Sequence, residues 1–326
     1  MRVLVLSHRD VLAALPAAAC AEAMAEVLTA RAHGEAYVPL RSVMIPPDAA
    51  GFMGLMPGWR GPHDGGAAAF GLKAVCIMPG NPARGLDAHQ GIVTLFDGQT
   101  GQPTAILDAS AITERRTAAV SAVATEVLAR RDARVLAILG AGTQARAHLE
   151  ALAPVRGWEH VRVYSPTAAH AQRLAELADV TVAVSAREAV AGADVVVTAT
   201  SSREPVLFRD WLAEGAHVNA VGASSPSSRE LDTATVAASA LFCDSRESLR
   251  NEAGEFQLAI AEGLISGEEH VRAELGEVLA GTAAGRGDDA ELTVFRSLGL
   301  AVEDLAAAQI AVAAAAEQGL GTEIEL

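Results

Sequence analysis

The hexapeptide Gly140-Ala141-Gly142-Thr143-Gln144-Ala145 follows the apolar run RVLAILG and opens the helix-forming stretch TQARAHLEALAPV. A strand, a glycine turn and a helix form the context in which backbone amides cradle a pyrophosphate. Gly140 permits the tight turn and Gly142 lets the backbone approach the phosphates. Ala145 is small enough for close packing of helix on strand. The helix N-terminus adds N–H groups and the positive end of its dipole. The end of the next strand selects the cofactor, because an acid there binds a ribose 2′-OH whereas hydroxyls and cations suit a 2′-phosphate. That strand ends Tyr164-Ser165-Pro166-Thr167 without an acid, and His170 and Arg173 follow. The reading is a nicotinamide dinucleotide, NADP(H) favoured and NAD(H) retained as an alternative.

Lys73 is the second residue singled out by chemistry. It interrupts the otherwise apolar GLKAVCIM, where a buried ammonium needs a reason to be there. His89, in the glycine-punctuated NPARGLDAHQG, reads as a loop histidine rather than a catalyst. Cys20, Cys76 and Cys243 are far apart in apolar or alanine-rich stretches, so they read as buried free thiols, with no disulfide and no metal site.

The elements that must position these residues fall into two patterns. From residue 117 to 300, buried strands alternate with helices: RVLAILG, HVRVYS, VTVAVS, DVVVTAT, HVNAVGA and ALFCDS are the strands. This predicts a Rossmann-type, doubly wound parallel sheet of the α/β class. Residues 1–116 mix a helix across 10–33 with extended runs at 38–45, 51–56, 71–78, 91–97 and 103–109, the last two joined by the turn FDGQTGQP. They predict an α+β domain built on an antiparallel sheet, to which the helix 302–318 returns, so that 301–326 belongs with it. A long helix, Ile112–Ala129, leads from the first pattern to the second, and loops are expected at 61–70 and 81–91.

Forty acids against 25 bases give a formal charge of −15. No basic stripe suggests nucleic acid as a partner. No signal peptide or spanning segment is read, which predicts a cytoplasmic protein that does not enter a membrane.

Six stretches carry a resemblance over nearly the whole chain: GLKAV, NPARGLDAHQG, DASAITERRTAAVSAVAT, ILGAGTQARAHLEAL, HVNAVGASSPSSRELD and FRSLGLAVEDLAAA. Together they resemble the ornithine cyclodeaminase/mu-crystallin family, and more closely its mu-crystallin branch. The resemblance implies a homodimer whose first domain supplies the substrate pocket and the subunit interface, with a dinucleotide on the second. It implies that Arg41, Lys73 and Arg116 hold the α-carboxylate of a small imino or amino acid, a task that suits bidentate arginine. Of the adjacent Arg115 and Arg116, one is expected to be a surface charge. By the same resemblance Thr117 lies near the pyrophosphate. Gly140, Gly142, Thr143, Gln144, Ser165, Thr167, Thr200, Val221, Gly222, Ser224, Ser297 and Gly299 are the further expected cofactor contacts. Met53, Met56, Trp59 and the loop 61–70 are expected to shape the substrate end.

Cyclodeaminases of this family resemble one another in an aspartate after Gly-Gly or Gly-Ala and a glutamate before Leu-Met-Pro. This chain reads Gly222-Ala223-Ser224 and Gly54-Leu55-Met56-Pro57, and Asp232 of RELD reads as a helix cap. Without those anions a cationic ω-amino group would be buried uncompensated. The expectation is therefore a net redox enzyme: an NAD(P)H-dependent reductase of imines α to a carboxylate, or the reverse dehydrogenation, with Lys73 as proton donor or as the group that polarises the substrate. A cyclodeaminase that releases ammonia and a non-catalytic binder of nucleotide and small acids are the alternatives.

Overall fold

The computed structural model describes residues 1–63 and 66–326, so Asp64 and Gly65 of the expected 61–70 loop lie outside the described residues. The chain forms two compact units, Met1–Arg116 with Leu300–Leu326, and Thr117–Gly299.

In the first unit the strands are β1 (Arg2–Leu6), β2 (Ala36–Tyr37), β3 (Ser42–Met44), β4 (Phe52–Arg60), β5 (Ala69–Ile77), β6 (His89–Asp97) and β7 (Pro103–Asp108). The C-terminal strand Thr322–Glu325 joins the edge, giving the order Thr322–Glu325, β1, β7, β6, β5, β4, β2, with β3 also on β4. The sheet is mixed rather than wholly antiparallel. β1 runs parallel to β7, because the helices His8–Ala14 and Ala17–Ala32 and the strands after them carry the chain across the sheet before it returns. The expected helix over 10–33 is broken by Pro16, which cannot donate within a helix and becomes the N-cap of the second segment. Strand β4 runs through Pro57 to Arg60, beyond its expected end at 56. β3 pairs with Met53–Leu55 and β2 with Trp59–Arg60, so on that side Pro57 falls between partners that would need its missing N–H.

Alternation along β5 puts Gly71 and Lys73 on one face and Phe70, Leu72 and Cys76 on the other. The C-terminal helix Ala301–Gln318 covers the first face, lying on β4, β5 and β6 and against Ala17–Ala32. Gly71 makes the approach close, since a Cβ there would sit 3.0 Å from Leu305 Cδ1. The other face leaves Met44, Leu55, Phe70 and Ile92 exposed. Cys76 on that face is half-buried, whereas Cys20 and Cys243 are buried, so the expectation of three buried thiols holds for two.

The second unit contains β8 (Val135–Leu139), β9 (His160–Tyr164), β10 (Thr181–Val182), β11 (Val195–Thr198), β12 (His217–Ala220), β13 (Ala240–Cys243), β14 (Val271–Glu274) and β15 (Thr293–Arg296). Every pairing is parallel, in the order β10-β9-β8-β11-β12-β15-β13-β14. The order reverses beside β8, as a doubly wound fold requires. Strand β15 is inserted between β12 and β13, which lie next to each other in sequence. Continuous apolar residues in β8 and β11 match burial on both faces, one core cluster forming on each side, while β12 alternates Val218 and Ala220 with the buried polar His217 and Asn219. Among the described residues no single helix is long and apolar enough to cross a membrane.

Candidate functional site

Lys73 lies in the middle of β5, opposite the buried apolar Met56 of β4 and Val93 of β6. Its side chain is 4% exposed. Nζ is 2.7 Å from Oδ2 of Asp304 on the C-terminal helix and donates to Thr113 Oγ1 at 3.4 Å. Asp304 also accepts at Oδ1 from Arg116 Nε at 3.1 Å, and Arg116 Nη1 donates to Glu303 Oε2 at 2.9 Å. Glu303 and Asp304 are almost wholly buried, at 0% and 1% exposure. Arg41, half-buried just before β3, is near enough for its charge to act on Lys73. The first unit thus brings Arg41, Lys73 and Arg116 together, as expected, and adds two carboxylates that the sequence reading did not single out.

Burial pulls the Lys73 ammonium down from its ordinary range to about 8. Asp304 opposes that shift, while the charges of Arg116 and Arg41 reinforce it. An amine tuned to this range exchanges a proton close to neutral pH, which a guanidinium does not. A compositional signal points the same way: of the 25 lysines and arginines in the chain, Lys73 alone is lysine.

Three expectations around this cluster need correction. Arg115 is half-buried rather than a surface charge, because its helix, Ala109–Leu128, is enclosed along most of its length. Met53 and Trp59 share a face of β4 with Leu55, opposite the face of Met56 and Lys73, so of the three apolar residues only Met56 adjoins the cluster. The Ala109–Leu128 helix also begins three residues before the expected Ile112, where Asp108 Oδ1 accepts from Ala111 N at 2.8 Å and caps it.

In the second unit, Gly140 has φ +123°, and a Cβ there would stand 2.4 Å from the Ala199 carbonyl oxygen, so only glycine fits. Gly142 is the N-cap of the helix Thr143–Leu152. No side chain caps that terminus, and nothing lies within 4 Å in front of Gly142. Thr117 Oγ1 is buried with no partner among the described residues, whereas Thr125 on the same helix bonds the Ser121 carbonyl at 2.7 Å. An open helix terminus and an orphaned buried hydroxyl are what a pyrophosphate would satisfy, so the residues fit a dinucleotide. Thr167 is the N-cap of the helix Ala168–Leu177 without using its hydroxyl as a cap, and Ser165 Oγ accepts from Thr167 N at 3.3 Å.

Thr200 and Gly222, beyond the ends of β11 and β12, are joined by Glu230. Its buried carboxylate accepts from Thr198 Oγ1 at 2.9 Å, from Thr200 N and Oγ1 at 2.7 Å each, and from Gly222 N at 2.6 Å. Burial pushes the Glu230 carboxyl above its ordinary range, against the pull of these bonds. Val221 is half-buried and Ser224 exposed in the same region. Ser297 and Gly299 are buried beyond β15, where Gly299 N donates to Asp244 Oδ2 at 2.5 Å. Asp232 caps the helix Thr233–Ala238 by accepting from Thr235 N at 2.9 Å. The Glu230→Gln variant turns one acceptor oxygen into a donor facing N–H groups. It is expected to lose about 1–3 kcal/mol of stability by denaturant unfolding. Dinucleotide binding, followed by fluorescence titration, should weaken with it.

A parallel sheet with an open glycine turn at its first strand, and a smaller mixed unit bearing a buried lysine–arginine–carboxylate cluster, define a class of two-unit dinucleotide-binding folds. The chain belongs to the ornithine cyclodeaminase/mu-crystallin family, whose sequence pattern matches residues 1–319. It is 40% identical over 279 residues to the ketimine reductase mu-crystallin of Mus musculus, covering 85% of each chain. Its structure is similar to that of Thermococcus litoralis Δ1-pyrroline-2-carboxylate reductase in complex with NADH and L-proline. That match has a TM-score of 0.93 and 36% identity, and covers 99% of this chain and 100% of that one. An archaeal alanine dehydrogenase dimer with bound NAD is also similar, with a TM-score of 0.92 and 33% identity over the whole of both chains.

Proposed function

We propose that this protein reduces the C=N bond of imines α to a carboxylate with a nicotinamide dinucleotide, or runs the reverse amino-acid dehydrogenation. The observation that carries the reading is the buried Lys73 ammonium, 2.7 Å from Asp304 and under the influence of Arg116 and Arg41. Arg41, Lys73 and Arg116 hold the substrate carboxylate, and Lys73 gives a proton to the imine nitrogen. Its neutral amine regains a proton from solvent after the product leaves. The dinucleotide, when bound, supplies the hydride that reaches the imine carbon.

The second unit is proposed as the dinucleotide-binding domain. Thr117, Gly140, Gly142, Thr143 and Gln144 serve the phosphates, Ser165 and Thr167 the adenosine ribose, and Thr200, Val221, Gly222, Ser224, Ser297 and Gly299 the remainder. NADP(H) is the proposed cofactor, since the end of β9 offers hydroxyls and no acid. The first unit is proposed as the substrate and dimerisation domain. A second copy of the chain is the proposed occupant of the exposed apolar face around Met44, Leu55, Phe70 and Ile92, a patch that a monomer would leave wet. The dimeric archaeal relative supports that occupant. A cyclodeaminase would need an anion for the ω-amino group, and Gly54 and Ser224 supply none.

Oxidation of NADPH and of NADH by the purified protein with Δ1-pyrroline-2-carboxylate or Δ1-piperideine-2-carboxylate tests the reading. Turnover is expected, with kcat/KM for NADPH about tenfold or more above that for NADH, the worth of one charge-assisted hydrogen bond. Ammonia release from ornithine without net oxidation would make the protein a cyclodeaminase. Tight dinucleotide binding without either reaction would make it a binder.

A further inference from the structure

Acids in the first turn of a helix ordinarily face solvent and complement the dipole. Here Glu303 and Asp304 stand in the first turn of Ala301–Gln318, yet both are buried, and Asp304 bridges two cations on two other elements. One of its oxygens faces Lys73 on β5 and the other faces Arg116 on Ala109–Leu128. Its place is fixed by backbone packing, because Leu305, the next residue, rests on Gly71 two positions before Lys73. We propose that Asp304 is a positioning residue for the proposed reduction, holding the Lys73 ammonium at the substrate nitrogen and keeping it charged until its proton is given up.

The inference rests on the imine-reductase reading but can be tested apart from it. Charged groups near Lys73 among the described residues include Arg41 before β3, His89 at the start of β6, Arg116 on Ala109–Leu128 and Asp304 on the C-terminal helix, with Glu303 reached through Arg116. Arg41 and Arg116 disfavour a charged lysine, and burial together with Lys73 disfavours a charged His89. Asp304 is the carboxylate in contact with Nζ. Removing it leaves the burial of Lys73 and its cationic neighbours unopposed, so the ammonium should deprotonate at lower pH. In the balanced step one proton passes from Nζ to the imine nitrogen, one hydride reaches the imine carbon, and Asp304 stays ionised throughout. Fewer Lys73 amines then hold the proton needed at neutral pH.

The chain is suited to a direct measurement. Lys73 is its one lysine, so the full-length protein grown on ¹⁵N-lysine gives a single side-chain amine signal. Its titration midpoint is expected to fall by about one unit or more in Asp304→Asn, the usual effect of an ionised partner in contact. The basic limb of the kcat–pH profile should move down with it, while dinucleotide affinity stays at the wild-type value. The Asp304→Glu variant keeps the charge and shifts its position. Its midpoint is expected to stay near wild type while kcat falls roughly tenfold, a modest part of what a placed proton donor contributes. An unmoved midpoint in Asp304→Asn would overturn the proposal. Should that variant not fold, wild-type kcat in Asp304→Glu would overturn it equally. If the wild-type protein reduces no imino acid, the functional reading fails, and the amine titration still decides whether Asp304 governs Lys73.

Discussion

Replacing Lys73 by arginine is expected to keep the positive charge and lose the reaction. The guanidinium can still attract a carboxylate, but it does not release a proton near neutral pH. If Lys73 is the proton donor, kcat should fall by about 10²–10⁴-fold, the usual contribution of a placed acid or base. The buried site is also tight, with Met56 and Val93 on the neighbouring strands. Lys73→Met, unbranched and of similar length, therefore serves as a second variant and should show the same loss. In the wild type the active form is the ammonium, so kcat is expected to decline as pH rises through about 8. Both variants should bind dinucleotide as the wild type does. An arginine variant keeping most of its activity would reduce Lys73 to a charge that binds substrate.

The second large effect concerns stability as well as binding. Arg116 is 6% exposed, and its Nε and Nη1 serve Asp304 and Glu303. Arg116→Leu removes the guanidinium that two buried carboxylates, Asp304 and Glu303, share. Breaking a buried pair by removing one partner costs about 3–5 kcal/mol, most of it the penalty of an uncompensated charge. Denaturant unfolding at neutral pH should show a loss of that order. The deficit should narrow in acid, where the stranded carboxylates take up protons and the native state binds more of them than the unfolded chain. The surviving folded enzyme should bind substrate more weakly, without a matching loss of dinucleotide affinity. Arg116→Lys restores charge without the two-pronged geometry and should recover only part of the stability.

What could be read in advance, and what could not, follows from the range of the forces involved. The Gly140-Ala141-Gly142 turn is legible because its function demands a backbone shape that few residues permit, and the φ of Gly140 shows the demand. Lys73 is legible because a charge in an apolar strand is an anomaly of local pattern. Asp304 is not, because two acids at the start of an alanine-rich helix look like ordinary dipole partners, and only tertiary packing on Gly71 carries them to the lysine. Glu230 escapes for the same reason, its four donors lying on residues 198, 200 and 222. Strands β14, β15 and Thr322–Glu325 were not anticipated. Each is four residues long, and each carries a charged residue that disguises a buried or edge position. The late insertion of β15 between β12 and β13 is a choice of topology that periodicity does not encode.

The central claim, net hydride transfer to an imine carbon, is tested most directly by following the hydrogen. Reduced dinucleotide carrying deuterium at the transferring position of nicotinamide C4 is incubated with the protein and Δ1-pyrroline-2-carboxylate, and the product is examined by mass spectrometry. The account predicts proline with one deuterium at its α-carbon, formed in step with oxidised dinucleotide. Proline without the label, or ornithine consumed with no net change in the dinucleotide, would contradict it.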